Sequence, residues 1–238
     1  MVKLVEPTGL PLVDGLASLD PQTIEDYCRA SAEYIRQASV LGAAKSKAAQ
    51  IRLSNALAAI TLTDLRGASL AAPHAVAGER EVGGGLRSVK ADVSETTTRD
   101  GLTLAIEVKP VHLAVGRAIW NRFGDIRTFA VNLHLKFPFA VVGGILTLPT
   151  SERFKSGDDE HWKSTAHLVT RAVGRFIRAG GRVTEGDAAH LLEGIAVVAF
   201  DRLTGDIEPD LPPAGSGLRW DEFISSLAEV YDARFGEI

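Results

Sequence analysis

Residues 102–110, LTLAIEVKP, read as a buried strand interrupted by two charges two positions apart. Side chains alternate faces along a strand, so Leu102, Leu104, Ile106 and Val108 form one apolar face, and Thr103, Ala105, Glu107 and Lys109 the other. An acid and a base therefore point the same way, and charges on so apolar a strand require a partner. Upstream, Val89, Ala91 and Val93 alternate with Lys90, Asp92 and Ser94, and Asp100-Gly101 between the two runs is a strong turn signal. Residues 86–108 are read as a hairpin. The apolar faces of an antiparallel pair coincide, so Val93 is expected opposite Val108, which puts Asp92 on the face of Glu107 and Lys109. Opposite positions lie about 5 Å apart and diagonal ones about 7–8 Å, so the three charges can converge on what should be the solvent side of the hairpin.

Working outward, Asp20 and Pro21 read as N-cap and first position of a helical region over about 21–60, weakest at Gly42. Residues 69–87 show no sustained period, and Gly83 to Gly85 mark a flexible approach to the hairpin. After Pro110 an amphipathic helix carries apolar residues at 119, 123, 126, 130 and 133. FAVVGGILTL reads as a central strand in which Gly143-Gly144 allows a bulge or a close approach. A helix from His161 to the glycines at 180 and 181, a short strand GIAVVAFD and a closing helix from Trp220 complete the order. This predicts an α/β protein, a mixed central sheet flanked by helices. It is one domain, with a helical N-terminal region at about 15–70, a core at about 75–150 and a C-terminal α/β elaboration at about 151–238.

The 238 residues are 45% hydrophobic, enough for a sizeable core. No apolar run suggests a signal or a span, and the single Cys28 offers neither an internal disulfide nor a thiolate metal site, so a cytoplasmic protein is expected. A net charge of −4 argues against coating nucleic acid by bulk charge. The charge is unevenly spread, with basic segments at 108–138 and 161–182 and acids gathered towards the carboxyl terminus. Neither a phosphate loop ending in Gly-Lys-Ser/Thr, nor a His-x-x-x-His pair, nor a Gly-x-Ser-x-Gly elbow occurs.

Two carboxylates and an ammonium on one face suit a hard divalent cation. Asp92 and Glu107 would give oxygen ligands to Mg2+, with substrate phosphate and water completing the shell. Lys109 would orient or activate the attacking water and offset charge growing on phosphorus. The bland alternative is a cross-strand salt bridge between Asp92 and Lys109. KADV, then IEVK after a turn, then a basic amphipathic helix and an apolar strand together resemble the PD-(D/E)XK nuclease superfamily, the restriction-endonuclease-like fold. Ala91 stands where the proline of the motif's name would be. The resemblance implies a magnesium-dependent nuclease and specifies neither the nucleic acid nor the sequence preference. The reading adopted is an endonuclease of the restriction kind acting on double-stranded DNA, and since cutting both strands takes two active sites, a homodimer is expected. Asp92, Glu107 and Lys109 would be catalytic, and the backbone carbonyl of Val108 a further metal ligand. Glu79, Glu81 and Glu95 are auxiliary ligand candidates. A less specific defence or repair nuclease subunit, or a non-catalytic DNA-binding or scaffold protein on the same fold, are the alternatives.

Arg117 and Asn121, one turn apart on the polar side of the helix after the Glu-x-Lys strand, are expected to border the metal site and position a phosphate near it, the alternative being a solvated helix face. Arg171, Arg175 and Arg178 share a helical face with no acid in their segment, and Arg182 joins them if the helix continues past Gly181. Nucleic-acid phosphates, or acids such as Asp221 and Glu222 folding over them, would relieve their mutual repulsion.

Overall fold

Gly101, at φ 72°, makes the turn that a side chain would resist, and the chain leaves it as the strand over Gly101–Pro110. In the computed structural model, which describes residues 20–156 and 159–236, this strand is the third of a five-stranded mixed sheet. Two helices come first, α1 (Ile24–Gln37) and α2 (Ala43–Gly67). Then follow β1 (Val76–Gly83), β2 (Ser88–Thr97), β3 (Gly101–Pro110), α3 (Val115–His134) and β4 (Val141–Pro149). A separate hairpin, β5 (Ser151–Ser156) and β6 (Asp159–Ser164), precedes α4 (Ala166–Phe176), β7 (Gly194–Phe200) and α5 (Trp220–Phe235). The sheet order is β1-β2-β3-β4-β7, antiparallel through β3 and parallel beyond it. The expected mixed α/β architecture is present. The last third is more than an elaboration, because β7 pairs with β4 inside the same sheet.

Both sheet faces are covered. Leu104, Ile106 and Val108 pack with α1, α2 and α5, while Ala105 faces the layer made by α3 and α4. The charged side of β3 is therefore not the wet face of a hairpin. Register also differs from the expectation: Val93 pairs with Ile106, two residues from Val108, which keeps the parity and brings Asp92 level with Glu107. A bulge between Glu95 and Thr96 then reverses the facing of the strand's start, so Leu102 joins the α3 side and Thr103 is buried on the other.

Thr23, not Asp20, caps α1, its hydroxyl accepting the Asp26 N–H at 3.1 Å. The helical region is two helices broken at residues 38–42, as Gly42 suggested. Residues 161–164 are strand and not the start of a helix. From that hairpin Glu152 accepts the Gly116 N–H at 2.9 Å and so caps α3, whose own N-cap, Ala114, has no capping side chain. At Gly143 and Gly144 the register is unbroken and the glycines serve close approach. A Cβ on Gly143 would meet Leu227 of α5 at 2.9 Å, and one on Gly144 would meet Ile126 of α3 at 2.5 Å.

His112, just past β3, is buried between the Tyr34 ring, 5.1 Å away, and Tyr27, whose hydroxyl lies 3.4 Å from Nε2. Burial pushes its imidazole down to about 4. A histidine depressed in the folded state binds its proton more readily unfolded. Its contribution is therefore intact above about pH 6.5 and is lost as pH falls towards 4, about 3 kcal/mol in all. His112→Gln is expected to flatten the stability profile across that window in urea unfolding. An unchanged slope in the variant would place the acid sensitivity elsewhere.

Candidate active site

The Asp92 carboxylate reaches across from β2 to accept the Val108 N–H at 2.7 Å. One residue to either side of Val108, Glu107 Oε1 and Lys109 Nζ form an ion pair, with side chains only 11% and 22% exposed. The other Glu107 oxygen, Oε2, is buried without a hydrogen-bond partner. The three residues singled out by sequence are thus brought together at one point, and the strand alternation that places them is the same one that buries their neighbours.

Burial raises the pKa of Asp92, opposed by the Val108 hydrogen bond and by Lys109. Burial likewise raises that of Glu107, with Lys109 pulling it back and Asp92 and Asp125 adding to the rise. Two carboxyls that resist charging, one with an unsatisfied oxygen, form a donor set that a divalent cation would complete. Among the described residues no three His, Cys, Asp or Glu side chains surround a common point. Were a cation held here, Asp92 and Glu107 would be the protein's ligands, with water and substrate supplying the rest. Val108 keeps its side chain in the core yet lines the adjoining cleft, where its carbonyl was expected to contribute.

Asp92 and Lys109 border two adjoining clefts, and Glu107 lines the first of them. One, of about 470 Å³, is walled by Glu79, Glu81 and Lys90 on one side and by Arg122, Asp125 and Phe129 on the other. The second, of about 440 Å³, shares Glu79, Asp92, Lys109 and Arg122 and runs on between β3 and the polar flank of α2, at Lys47, Gln50, Ser54 and Asn55. The chain matches no family model, no curated protein and no solved structure. Its chemistry rests on this geometry.

Of the auxiliary acids, Glu79 and Glu81 line the first cleft, and Glu79 also holds Lys90 at 2.6 Å. Glu95 does not. It is buried on the other side of β2, accepting from the His74 N–H, the Thr103 hydroxyl and the Tyr231 hydroxyl. Arg117 and Asn121 are exposed and line neither cleft. The face of α3 that borders the site carries Ala118, Arg122, Asp125 and Phe129, spaced i, i+4, i+7, i+11 and turned about 100° from the expected one. Arg122 and Asp125, paired at 2.9 Å, are the residues that sequence reading missed. Their signal was present as a charged i, i+3 pair on the flank of the buried stripe.

Arg171, Arg175 and Arg178 lie at the surface on and just past α4, away from both clefts. Arg182 is not with them. The helix stops at Phe176, and Arg182 is buried, donating to the carbonyls of Thr184, Glu185 and Pro138. Glu222 does not neutralise the exposed arginines, since it is engaged by the Gly215 and Arg219 N–H groups.

Proposed function

We propose that the protein is a magnesium-dependent DNA endonuclease that hydrolyses phosphodiester bonds, most simply a restriction enzyme acting as a homodimer. The observation that carries this reading is the unsatisfied, buried Glu107 oxygen beside Asp92 and Lys109 at the junction of two open clefts.

Asp92 and Glu107 would hold the cation. Bound magnesium supplies Lewis-acid polarisation of the phosphate and offsets its growing negative charge. The Lys109 ammonium, held by Glu107, orients the water whose oxygen forms the new bond to phosphorus while the bond to the leaving sugar oxygen breaks. Arg122 stands where it can grip a non-reacting phosphate oxygen. The duplex would follow the paired clefts past the polar residues of α2.

The test is incubation of the purified chain with supercoiled plasmid in magnesium, in EDTA and in calcium. Cutting in magnesium alone is expected, with calcium supporting binding but little cleavage, because its looser geometry does not align the reacting groups. Discrete bands would indicate sequence-specific cutting and a smear an unspecific nuclease, while intact plasmid under all conditions would sink the enzyme reading. No helix among the described residues is long and apolar enough to cross a membrane.

A narrower prediction separates the two flanks of α3. Arg122→Ala should slow cleavage by about ten- to a hundredfold, because a charge-assisted hydrogen bond contributes about 1.5–3 kcal/mol. Arg117→Ala should stay within about twofold, since exposed surface changes are usually small. Initial-rate measurements on one plasmid decide it, and equal losses in both variants would contradict the placement of the substrate along the Arg122 face.

A further inference from the structure

On the far flank of α3 from the Asp92 clefts, Arg127 joins Arg175 and Arg178 around a cavity of about 360 Å³, which Phe123 and Ala179 also line. Three arginines line one concavity. The Nε of Arg127 is buried without a hydrogen-bond partner. A buried charged donor left unsatisfied is expensive, so such a group signals a missing acceptor. No carboxylate supplies it: among the described residues, Arg127, Arg171, Arg175 and Arg178 form no ion pair. Aromatic rings hold the guanidinium groups of Arg127, Arg171 and Arg175 instead. Arg127 lies 5.6 Å from the Phe123 ring centre, and Arg175 and Arg171 lie 4.3 and 5.5 Å from that of Trp120. Stacking of this kind fixes a planar cation while leaving its edge donors and its charge available.

What would satisfy such a cluster is an anion with acceptors in several directions. A carboxylate presents two oxygens in one plane and matches one fork well, whereas a tetrahedral phosphate can accept from three forks at once. Relief of the repulsion between arginines one turn apart adds to its binding. We propose that Arg127, Arg175 and Arg178 form a phosphate-binding pocket separate from the Asp92 clefts. Its ligand is a phosphate of the DNA backbone or a free phosphomonoester. The phosphate chemistry stands independently of the nuclease reading, and only the assignment to DNA rests on it.

The test is a calorimetric titration of the full chain with inorganic phosphate in the absence of divalent cations, comparing wild type with Glu107→Gln, Arg127→Met and Arg178→Ala. Wild type and Glu107→Gln should bind alike, and each arginine variant should bind at least about tenfold more weakly. Arg178 is exposed, so its variant tests the pocket even if Arg127→Met fails to fold. No binding by wild type up to about 10 mM phosphate, unchanged affinity in the arginine variants, or loss of binding in Glu107→Gln would each overturn the pocket. A second titration, with a short DNA duplex in calcium across salt concentrations, assigns the source. A salt slope about one unit lower in Arg178→Ala identifies a backbone phosphate, and an unchanged slope identifies a free phosphomonoester. Absence of plasmid cleavage would reject the nuclease reading while leaving the phosphate titration intact.

Discussion

Under the proposed nuclease function, Asp92→Asn, Glu107→Gln and Lys109→Ala are each expected to lower magnesium-dependent cleavage by at least about a thousandfold, since each would remove a group that acts on the developing charge or holds the cation that does. The isosteric amides carry a second expectation. Burial already opposes the charge on both carboxyls. Neutral amides at these positions should therefore leave the melting temperature in EDTA unchanged or raise it. Asparagine at 92 can still accept the Val108 N–H through its amide oxygen. Loss of activity with gain of stability is the pattern of a site that holds charge at the expense of the fold. Cleavage within tenfold of wild type in all three variants would remove these residues from the reaction, and a large drop in melting temperature for both amides would make them structural.

The largest stability effect should come from a residue remote from the site. Glu193, just before β7, is buried with its carboxylate at the centre of a network. It accepts the Val142 N–H at 2.9 Å and Arg234 Nη1 at 2.8 Å, and lies 3.2 Å from His134 Nε2. Arg182 Nε stands 3.4 Å away, an ion-pair distance without hydrogen-bond geometry. Glu193→Ala would strand a buried guanidinium and a strand N–H together, and should destabilise the protein by about 3–5 kcal/mol. Urea unfolding with a two-state fit measures it. A loss below about 1 kcal/mol would mean that water enters and replaces the carboxylate.

How much of this was legible in the sequence differs from element to element. The convergence of Asp92, Glu107 and Lys109 followed from parity, which survives a register shift of two residues, so pairing with Ile106 in place of Val108 left it intact. The facing of Leu102 did not survive, because a bulge has no reliable signature in a single chain. β1 was unreadable for a related reason: it is an edge strand, largely exposed, with Gly78 at φ 123° and a register break between Ala77 and Arg80, so its apolar alternation is lost. The wetness of the charged face was misjudged because coverage by α3 is a tertiary fact. The phase of that helix depends on which of its apolar residues meet the sheet, and a small error in phase moved attention from Arg122 to Arg117.

Gly144 contributes nothing to either cleft, yet it governs their width. β4 supplies no lining residue, but the missing side chain at 144 is what lets Ile126 settle against the sheet. Arg122 and Asp125 ride on that same stretch of α3, opposite the carboxylates of β3. The gap between wall and floor is therefore gauged from behind, by a hydrogen atom where any other residue would carry carbon. A lineage that replaced this glycine would shift the jaws of the site without altering a single residue inside it.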